Sequence, residues 1–189
     1  SNVGALLYPI TKAEYQAGSV PTPAQLFSHS DQSVVWQQTR ADAPDRRGWG
    51  GRLADMFYAS NTNQQLSMNI SIDGENVFQA GDEVIPYFVG QGGAEGIWYV
   101  EPWQADRRAA FIALRDAAHG NALQRQFASV VRRSMNNQVM VNGALEGETP
   151  LTTTFPDTHL GRQLQMVARL IHVRNTLQMQ RQIFFVGLG

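Results

Sequence analysis

Alternating hydrophobic and polar positions predict a strand in the middle of the chain. Every second residue from Leu66 to Ile72 is apolar, and the alternation stops at Asp73-Gly74. A period of two is typical of a strand with one buried and one exposed face. The continuous apolar run at 182–186 predicts a second strand that is buried on both faces. We therefore expect both strands in one sheet, with 182–187 at its centre and shorter strands at Val77-Phe78 and Val84-Ile85.

Apolar residues at helical spacing predict five longer helices. Two are expected over 28–39 and 49–59, before the sheet. The three main helices are expected over 104–118, 121–140 and 160–174. Because these three are amphipathic, we expect them to supply most of the core, with five residues nearly buried: Leu114, Phe127, Leu164, Val167 and Leu170.

Two capping boxes, Thr11 to Glu14 and Thr22 to Gln25, predict short helix starts near the N-terminus. A helix followed by a buried strand, as in 160–187, is half of an α/β unit, so the fold class expected is α/β. Functional loops of α/β proteins follow the carboxyl ends of strands. Because the last strand runs into Gly187-Leu188-Gly189, we expect the chain to be a fragment of a larger domain.

Composition narrows the function classes. A length of 189 residues, 43% of them hydrophobic, suits one globular domain. Fifteen basic against sixteen acidic residues give a net charge of −1, which excludes the basic type of nucleic-acid binder. The absence of cysteine excludes disulfide scaffolds, thiolate zinc sites and cysteine nucleophiles. No segment approaches the roughly 18–20 apolar residues of a membrane span.

Ser28-His29-Ser30-Asp31 is the densest polar cluster, and it lies where the helix 28–39 is expected to begin. Free N–H groups and the helix dipole favour an anion there. A serine at such a position can attack a phosphate or sulfate ester when a metal or a base activates it. Alternatively, Ser28 or Ser30 caps the helix and Asp31 complements its dipole.

Asp157-Thr158-His159 combines a carboxylate with an imidazole, as metal sites do. Two ligands are fewer than the three protein ligands of a catalytic zinc, so Asp157 or Thr158 is expected to cap the next helix instead. His119 is expected to contact the end of its helix, and His172 to be solvated.

Residues 90–102 are rich in glycine and aromatic side chains. They predict either a surface loop or lid, or a hydrophobic loop tucked against the helices. Gly90-Gln91-Gly92-Gly93 lacks a preceding strand and the lysine of a phosphate-binding loop, so that function is excluded for it.

Five stretches of the sequence together resemble a known family: Ser1–Gly4, Gln25–Gln32, Gly48–Asp55, Leu160–Ile171 and Phe184–Gly189. They resemble the bacterial domain-of-unknown-function family fifteen-oh-one, and the resemblance spans essentially the whole chain. Members of that family look like exported, Tat-dependent relatives of sulfatases and alkaline phosphatases. The resemblance implies an alkaline-phosphatase-like α/β sheet with helices on both faces. Residues 1–189 would be a single-domain fragment of it that lacks the first and last active-site segments.

The resemblance also implies a site. In that superfamily, Asp and His residues at strand ends hold divalent metals, and a Ser or Thr nucleophile lies at a helix start. Ser28-His29 matches the family's Ser-His motif before a helix bearing Trp36. The resemblance thus makes Ser28 the nucleophile, Ser30 the alternate and His29 a group close to the metal. A divalent metal is expected in the full-length protein and none in this chain, and the location implied is periplasmic or exported.

Two functions follow from these patterns. The first is a segment of an exported, metal-dependent hydrolase that acts on a small phosphate or sulfate ester, with the fragment itself inactive. The second is a non-enzymatic exported binding or assembly module on a degenerate hydrolase fold. Its contact surface would be the Gln- and Arg-rich helices and the exposed aromatic residues around 98–103. Missing strands would also leave sheet edges exposed, through which the chain could self-associate.

Overall fold

A computed structural model describes residues 9–23, 25–40 and 46–188. The stretches Ser1–Gly4 and 41–45 therefore lie outside the described residues. The helices within the described ranges are α1 Lys12–Ala17, α2 His29–Gln38, α3 Trp49–Phe57, α4 Ala105–Asp116, α5 Ala122–Glu146 and α6 His159–His172. A short 3₁₀ helix spans Tyr58–Ser60, and the strands are β1 Asn69–Ser71, β2 Tyr87–Phe88 and β3 Ile183–Phe185. Helices and a parallel sheet in one chain agree with the expected α/β class.

The three strands form one parallel sheet in the order β2-β1-β3. Ile70 of β1 is in register with Phe184 of β3, so the expectation that the strands 66–72 and 182–187 share a sheet is confirmed. Their places are reversed, however, because β1 is central and β3 lies at an edge of the described sheet. The short strands predicted at 77–78 and 84–85 do not form, and the sheet uses β2 instead.

The polar face of β1 is buried, which contradicts the prediction that one face of this strand is exposed. Asn69 Nδ2 donates to the Gln79 carbonyl oxygen at 2.7 Å, and Ser71 Oγ donates to the Gly74 carbonyl oxygen at 2.6 Å. The segment 74–79 folds back over the strand and supplies these partners. Alternation indicates an exposed face only where water is the partner of the polar groups.

Gln79 holds two strands together from this covering segment. Its side chain is buried, and its Nε2 donates to the carbonyl oxygens of Ile70 at 3.1 Å and Ile183 at 3.0 Å. Its Oε1 accepts a hydrogen bond from Asn76 Nδ2 at 3.1 Å. Because a buried amide without partners is costly, this network specifies how the covering segment sits on β1 and β3.

Small residues let α3 pack closely against residues 78–80. A Cβ on Gly51 would lie 1.9 Å from the Ala80 carbonyl oxygen, and Gly50 packs on the Phe78 ring. The buried residues of α3 are therefore Gly50, Gly51 and Ala54, while its large apolar side chains stay exposed.

The capping box at Thr11 is confirmed at the start of α1, whereas residues 25–27 form a turn and not the helix predicted after Thr22.

The predicted bounds of the helices 104–118 and 160–174 agree with α4 and α6, whereas α5 continues to Glu146, past the predicted end at 140. The predicted core positions do not agree. Leu114, Phe127 and Leu164 are exposed and Val167 is half-buried, so of the five only Leu170 is fully buried. The buried face of α6 runs through Gln163, Met166 and Leu170. Gln163 on this face is polar. Apolar periodicity therefore predicts burial of the neighbouring face, which carries Leu164 and Val167.

The core is one hydrophobic cluster built from β1 and its flanks, the second half of α5, α6 and the segment after it. Its most buried large members are Leu66, Ile70, Val141, Met166, Leu170, Leu177 and Met179. No residue of α4 is buried, because this helix packs chiefly against α5 alone. The prediction that α4 contributes to the core is wrong for that reason.

Ion pairs help to join α4 to α5. Asp116 Oδ2 accepts from Arg115 at 2.7 Å, and Asp116 Oδ1 accepts from Arg132 of α5 at 2.7 Å. The hydrogen bond from Arg115, followed by the one from Arg132, lowers the pKa of Asp116 well below its usual range. Of these two contacts only that with Arg132 connects the helices, and because the carboxylate is exposed it adds little to the free energy of unfolding.

The position of Leu170 in the core yields a stability prediction. Leu170→Ala should lower the free energy of unfolding by about 2–5 kcal/mol, because the side chain is fully buried and its removal leaves a cavity. Leu164→Ala on the same helix is the matched control and should cost less than about 1 kcal/mol, since Leu164 is 42% exposed. Urea unfolding measures both, and equal losses would show that the buried face of α6 is assigned wrongly.

Candidate functional site

The carboxyl ends of β1 and β3 lie side by side, because the two strands are parallel neighbours. Asp73 follows β1 and Gly187 follows β3, and a Cβ on Gly187 would lie only 1.7 Å from Asp73 Oδ2. The N-terminus of α6 meets the same edge, where His159 Nε2 lies 3.3 Å from Asp73 Oδ1. Ligands of open parallel sheets bind at this edge, so the polar side chains gathered here are the candidate site.

Five side chains form this carboxyl-edge cluster: Asp73, Gln91, His159, Arg162 and Gln163. Gln163 is its buried centre, with none of its surface exposed. Its Nε2 donates to Asp73 Oδ1 at 2.8 Å, and its Oε1 accepts from the Gly187 N–H at 2.8 Å. One amide therefore fixes the ends of β1 and β3 relative to α6.

The hydrogen-bond partners around His159 indicate which ring nitrogen carries the proton. Gln91 Oε1 accepts from Arg162 Nε at 3.0 Å, so the Gln91 amide nitrogen is the atom that faces His159 Nδ1 at 3.1 Å. That N–H donates to Nδ1, which must be unprotonated. In the neutral imidazole the proton then lies on Nε2, where it is donated to Asp73 Oδ1.

Gln163 Nε2 and His159 Nε2 lie 2.6 Å apart, which is closer than two N–H donors normally approach, although both nitrogens face the same oxygen of Asp73. If the contact were a hydrogen bond to the imidazole, Nε2 would be the acceptor and Nδ1 would carry the proton. Nδ1 would then point its hydrogen at the donating amide of Gln91. We therefore assign the proton to Nε2.

The start of α6 positions His159. Thr158 caps the helix and accepts the Gly161 N–H at 3.0 Å, which confirms one of the two capping residues expected from the sequence. A Cβ on Gly161 would lie 2.1 Å from the Pro156 carbonyl oxygen, so only glycine allows this close turn. Asp157 does not cap the helix, because its carboxylate pairs with Arg162 at 2.5 Å.

The sequence-predicted site residues lie at the N-terminus of α2. Ser28 caps that helix, its Oγ accepting the Asp31 N–H at 3.4 Å and lying 3.2 Å from Ser30 Oγ. His29 and Ser30 are exposed and Ser28 is partly buried. The capping interpretation of Ser28 is confirmed, while its role as a nucleophile stays a prediction.

The structure does not bring Ser28, His29 and Ser30 into contact with the carboxyl-edge cluster. The C-terminal half of α2 approaches the sheet, where Gln37 Oε1 accepts the Phe78 N–H at 2.8 Å. Ser28 lies at the other end of this ten-residue helix, about 15 Å along its axis. No hydrogen bond or ion pair between the two groups occurs among the described residues.

A divalent metal needs more ligands than the described residues gather. Asp73 and His159 are two adjacent metal-binding side chains, and no group of three His, Asp or Glu side chains forms anywhere in the described ranges. Catalytic zinc has three protein ligands. The described part of the chain therefore does not fit the complete metal centre that the family resemblance implies.

The remaining histidines have the structural roles expected from the sequence. His119 Nε2 lies 3.0 Å from the Arg115 carbonyl oxygen at the end of α4, and His172 is exposed at the end of α6.

Among the described residues, none of the helices combines the length and the apolar character that crossing a bilayer requires.

The sequence analysis missed Asp73, Gln91, Arg162 and Gln163 as site residues. Asp73 could have been found, because the rule that ligands bind beyond strand ends applies to the strand 66–72 as it does to 182–187. Gln91 and Gln163 carried no such signal, since a glutamine on a loop or helix is most often a solvated residue.

Comparison with known proteins does not assign a function to this site. No family model matches the chain, nor does any curated protein or any solved structure.

Gly187 offers a test of the site geometry. Gly187→Ala should lower the free energy of unfolding by about 1–3 kcal/mol, because its methyl group would overlap the Asp73 carboxylate. The displaced carboxylate should also shift the NMR signals of the His159 ring. Gly143→Ala in α5, where a Cβ meets no atom within 4 Å, is the control and should not destabilise the protein. Two indistinguishable variants would contradict the packing of Gly187 on Asp73.

Proposed function

We propose that this chain carries the acid–base pair of an ester hydrolase at the carboxyl edge of its sheet. The observation that supports this best is the Asp73–His159 pair, at 3.3 Å, held beside the ends of two parallel strands. The substrate class, a phosphate or sulfate ester, comes from the family resemblance. An alkaline-phosphatase-like fold and an exported location are parts of the same proposal.

In this proposal His159 is the general base and Asp73 is its positioning residue. Asp73 accepts the Nε2 proton, which leaves the Nδ1 lone pair directed away from the carboxylate. Nδ1 takes the proton of the attacking hydroxyl as the new oxygen–phosphorus or oxygen–sulfur bond forms. Asp73 stabilises the resulting imidazolium, and the same proton passes to the departing alkoxide as the ester bond breaks.

Gln91 occupies the place of the attacking group. Its amide N–H donates to Nδ1 at 3.1 Å, so an incoming hydroxyl must displace it. This amide comes from the loop that follows β2, and the His159 side chain is half exposed. Solvent and substrate can therefore reach the ring once the amide moves.

Arg162 supplies positive charge for an anionic ester. It lies one turn after His159 on α6, and its Nε and Nη1 are bound by Gln91 and Asp157. The positive end of the α6 dipole adds to this charge. Asp73 and Asp157 oppose an anion, and the substrate must therefore enter on the Arg162 side of the cluster.

The predicted role of Ser28 as the nucleophile is a separate proposal, because Ser28 does not contact the carboxyl-edge cluster and the hydroxyl that attacks at His159 is therefore that of water. A serine hydroxyl needs a base, and none of the described residues within hydrogen-bond reach of Ser28 is one. If water is the attacking group, Ser28 is only a helix cap. The experiment below separates the two.

Hydrolysis of p-nitrophenyl phosphate and p-nitrophenyl sulfate by the protein tests the proposal. His159→Gln and Asp73→Asn should each lower kcat by about a hundredfold or more, because they remove a general base or its positioning residue. His172→Gln, at the exposed end of the same helix, is the matched control and should leave kcat unchanged.

Ser28→Ala completes the experiment. Lost hydrolysis with an unchanged thermal midpoint would assign the nucleophile to Ser28. Retained hydrolysis with a loss of about 1 kcal/mol in stability would show that Ser28 is only a helix cap. Full activity in both His159→Gln and Asp73→Asn would contradict the acid–base pair.

A second function, a non-enzymatic binding or assembly module, is favoured by the apolar surface of α4 and α5. Large side chains along these helices are exposed: Leu114, Leu123, Phe127, Val130 and Val139. Of these, Leu123, Phe127 and Val130 share one face of α5 by their i, i+4, i+7 spacing, and exposed apolar patches mark interaction sites. Under this function the Asp73→Asn and His159→Gln variants would have no hydrolysis to lose, and the wild-type protein would release no p-nitrophenol.

A further inference from the structure

A hollow of about 340 Å³ lies between the loop 95–103 and the helices α4 and α5. This volume is within the range of small-molecule sites. Asn142 of α5 anchors the loop, since its Oδ1 accepts the Ala94 N–H and its Nδ2 donates to the Ala94 carbonyl oxygen, both at 2.9 Å. None of the residues that line the hollow belongs to the carboxyl-edge cluster.

Two tryptophans form part of the wall of the hollow. Trp98 and Trp103 are 74% and 79% exposed, although an indole ring is among the side chains that gain most from burial. Val100, between them in sequence, is buried and holds the loop on the helices. The loop is therefore a packed element that keeps two large aromatic faces in solvent, and only part of it is tucked as the sequence had suggested.

The polar side chains of the wall have unused hydrogen-bonding capacity. One carboxylate oxygen of Glu101 is buried without any partner. Glu101 lines the hollow, and its other carboxylate oxygen makes no hydrogen bond within the described residues. Arg108 uses one guanidinium nitrogen to donate to the Val100 carbonyl oxygen at 2.9 Å, and its other donors are unused within the described residues. Glu95 and Gln138 line the hollow as well.

The mixture of charges restricts the ligand. A cation would be attracted by Glu95 and Glu101 but repelled by Arg108, and an anion would meet the opposite pattern. A hydroxyl group both donates and accepts, so it satisfies carboxylates, an amide and a guanidinium without bringing a charge. Flat indole faces in turn require a ligand with an apolar face of similar size.

We propose that this hollow binds a pyranose ring of a neutral saccharide. The apolar face of the sugar packs on Trp98 or Trp103, and its hydroxyls bond to Glu101 and Arg108. The mixed walls and the exposed indoles are both explained by this one class of ligand. The site does not depend on the hydrolase proposal, because it shares no residue with the carboxyl-edge cluster.

Tryptophan fluorescence of the protein tests the proposal with defined probes. Neutral hexasaccharides of β-linked glucose, xylose, mannose and galactose are titrated up to about 10 mM. At least one should change the emission saturably. Trp98→Ala, Trp103→Ala and Glu101→Gln should each weaken its binding by about tenfold or more. Trp36→Ala on α2 is the matched control and should bind as the wild type does.

Two results would overturn the proposal. Choline chloride probes a site for a cation, and saturable binding of choline with no binding of any saccharide would overturn the proposal. Absence of saccharide binding across the panel would overturn it as well. Thermal unfolding of each variant checks that it is folded, and Glu101→Gln, which leaves both indoles in place, keeps the test valid if a tryptophan variant fails to fold.

Discussion

The buried amide of Gln163 is the contact on which the carboxyl edge of the sheet depends. It accepts the Gly187 N–H after β3 and donates to the carboxylate of Asp73 after β1. Because the side chain is fully buried, each of these hydrogen bonds would be costly to lose. The amide therefore sets the position of Asp73, and Asp73 in turn sets the orientation of His159.

The fold could be predicted from the sequence where apolar periodicity alone decides it. The presence of α2 to α6 and the pairing of β1 with β3 followed from such patterns. Burial could not, since it depends on what covers each face. Asn69 and Ser71 are polar and buried because the segment 74–79 gives each of them a carbonyl oxygen as acceptor, while Leu114 and Phe127 are apolar and exposed because little packs on them.

The candidate site was predicted only in part. The sequence singled out His159 through the run Asp157-Thr158-His159, but its partner Asp73 lies 86 residues earlier and is brought near by the parallel pairing of two strands. Such a contact has no local signal. Ser28 was found because a helix start has a local signal, and the same signal identifies an ordinary cap. Sequence patterns thus locate single polar groups, whereas topology decides which of them meet.

The tautomer of His159 tests the central claim most directly. Long-range proton–nitrogen NMR correlation of the neutral imidazole distinguishes the protonated from the unprotonated ring nitrogen. The account predicts a proton on Nε2, directed to Asp73, and an unprotonated Nδ1 that accepts from Gln91. A proton on Nδ1 would leave no lone pair toward the incoming hydroxyl and would contradict the assignment of His159 as a base positioned by Asp73.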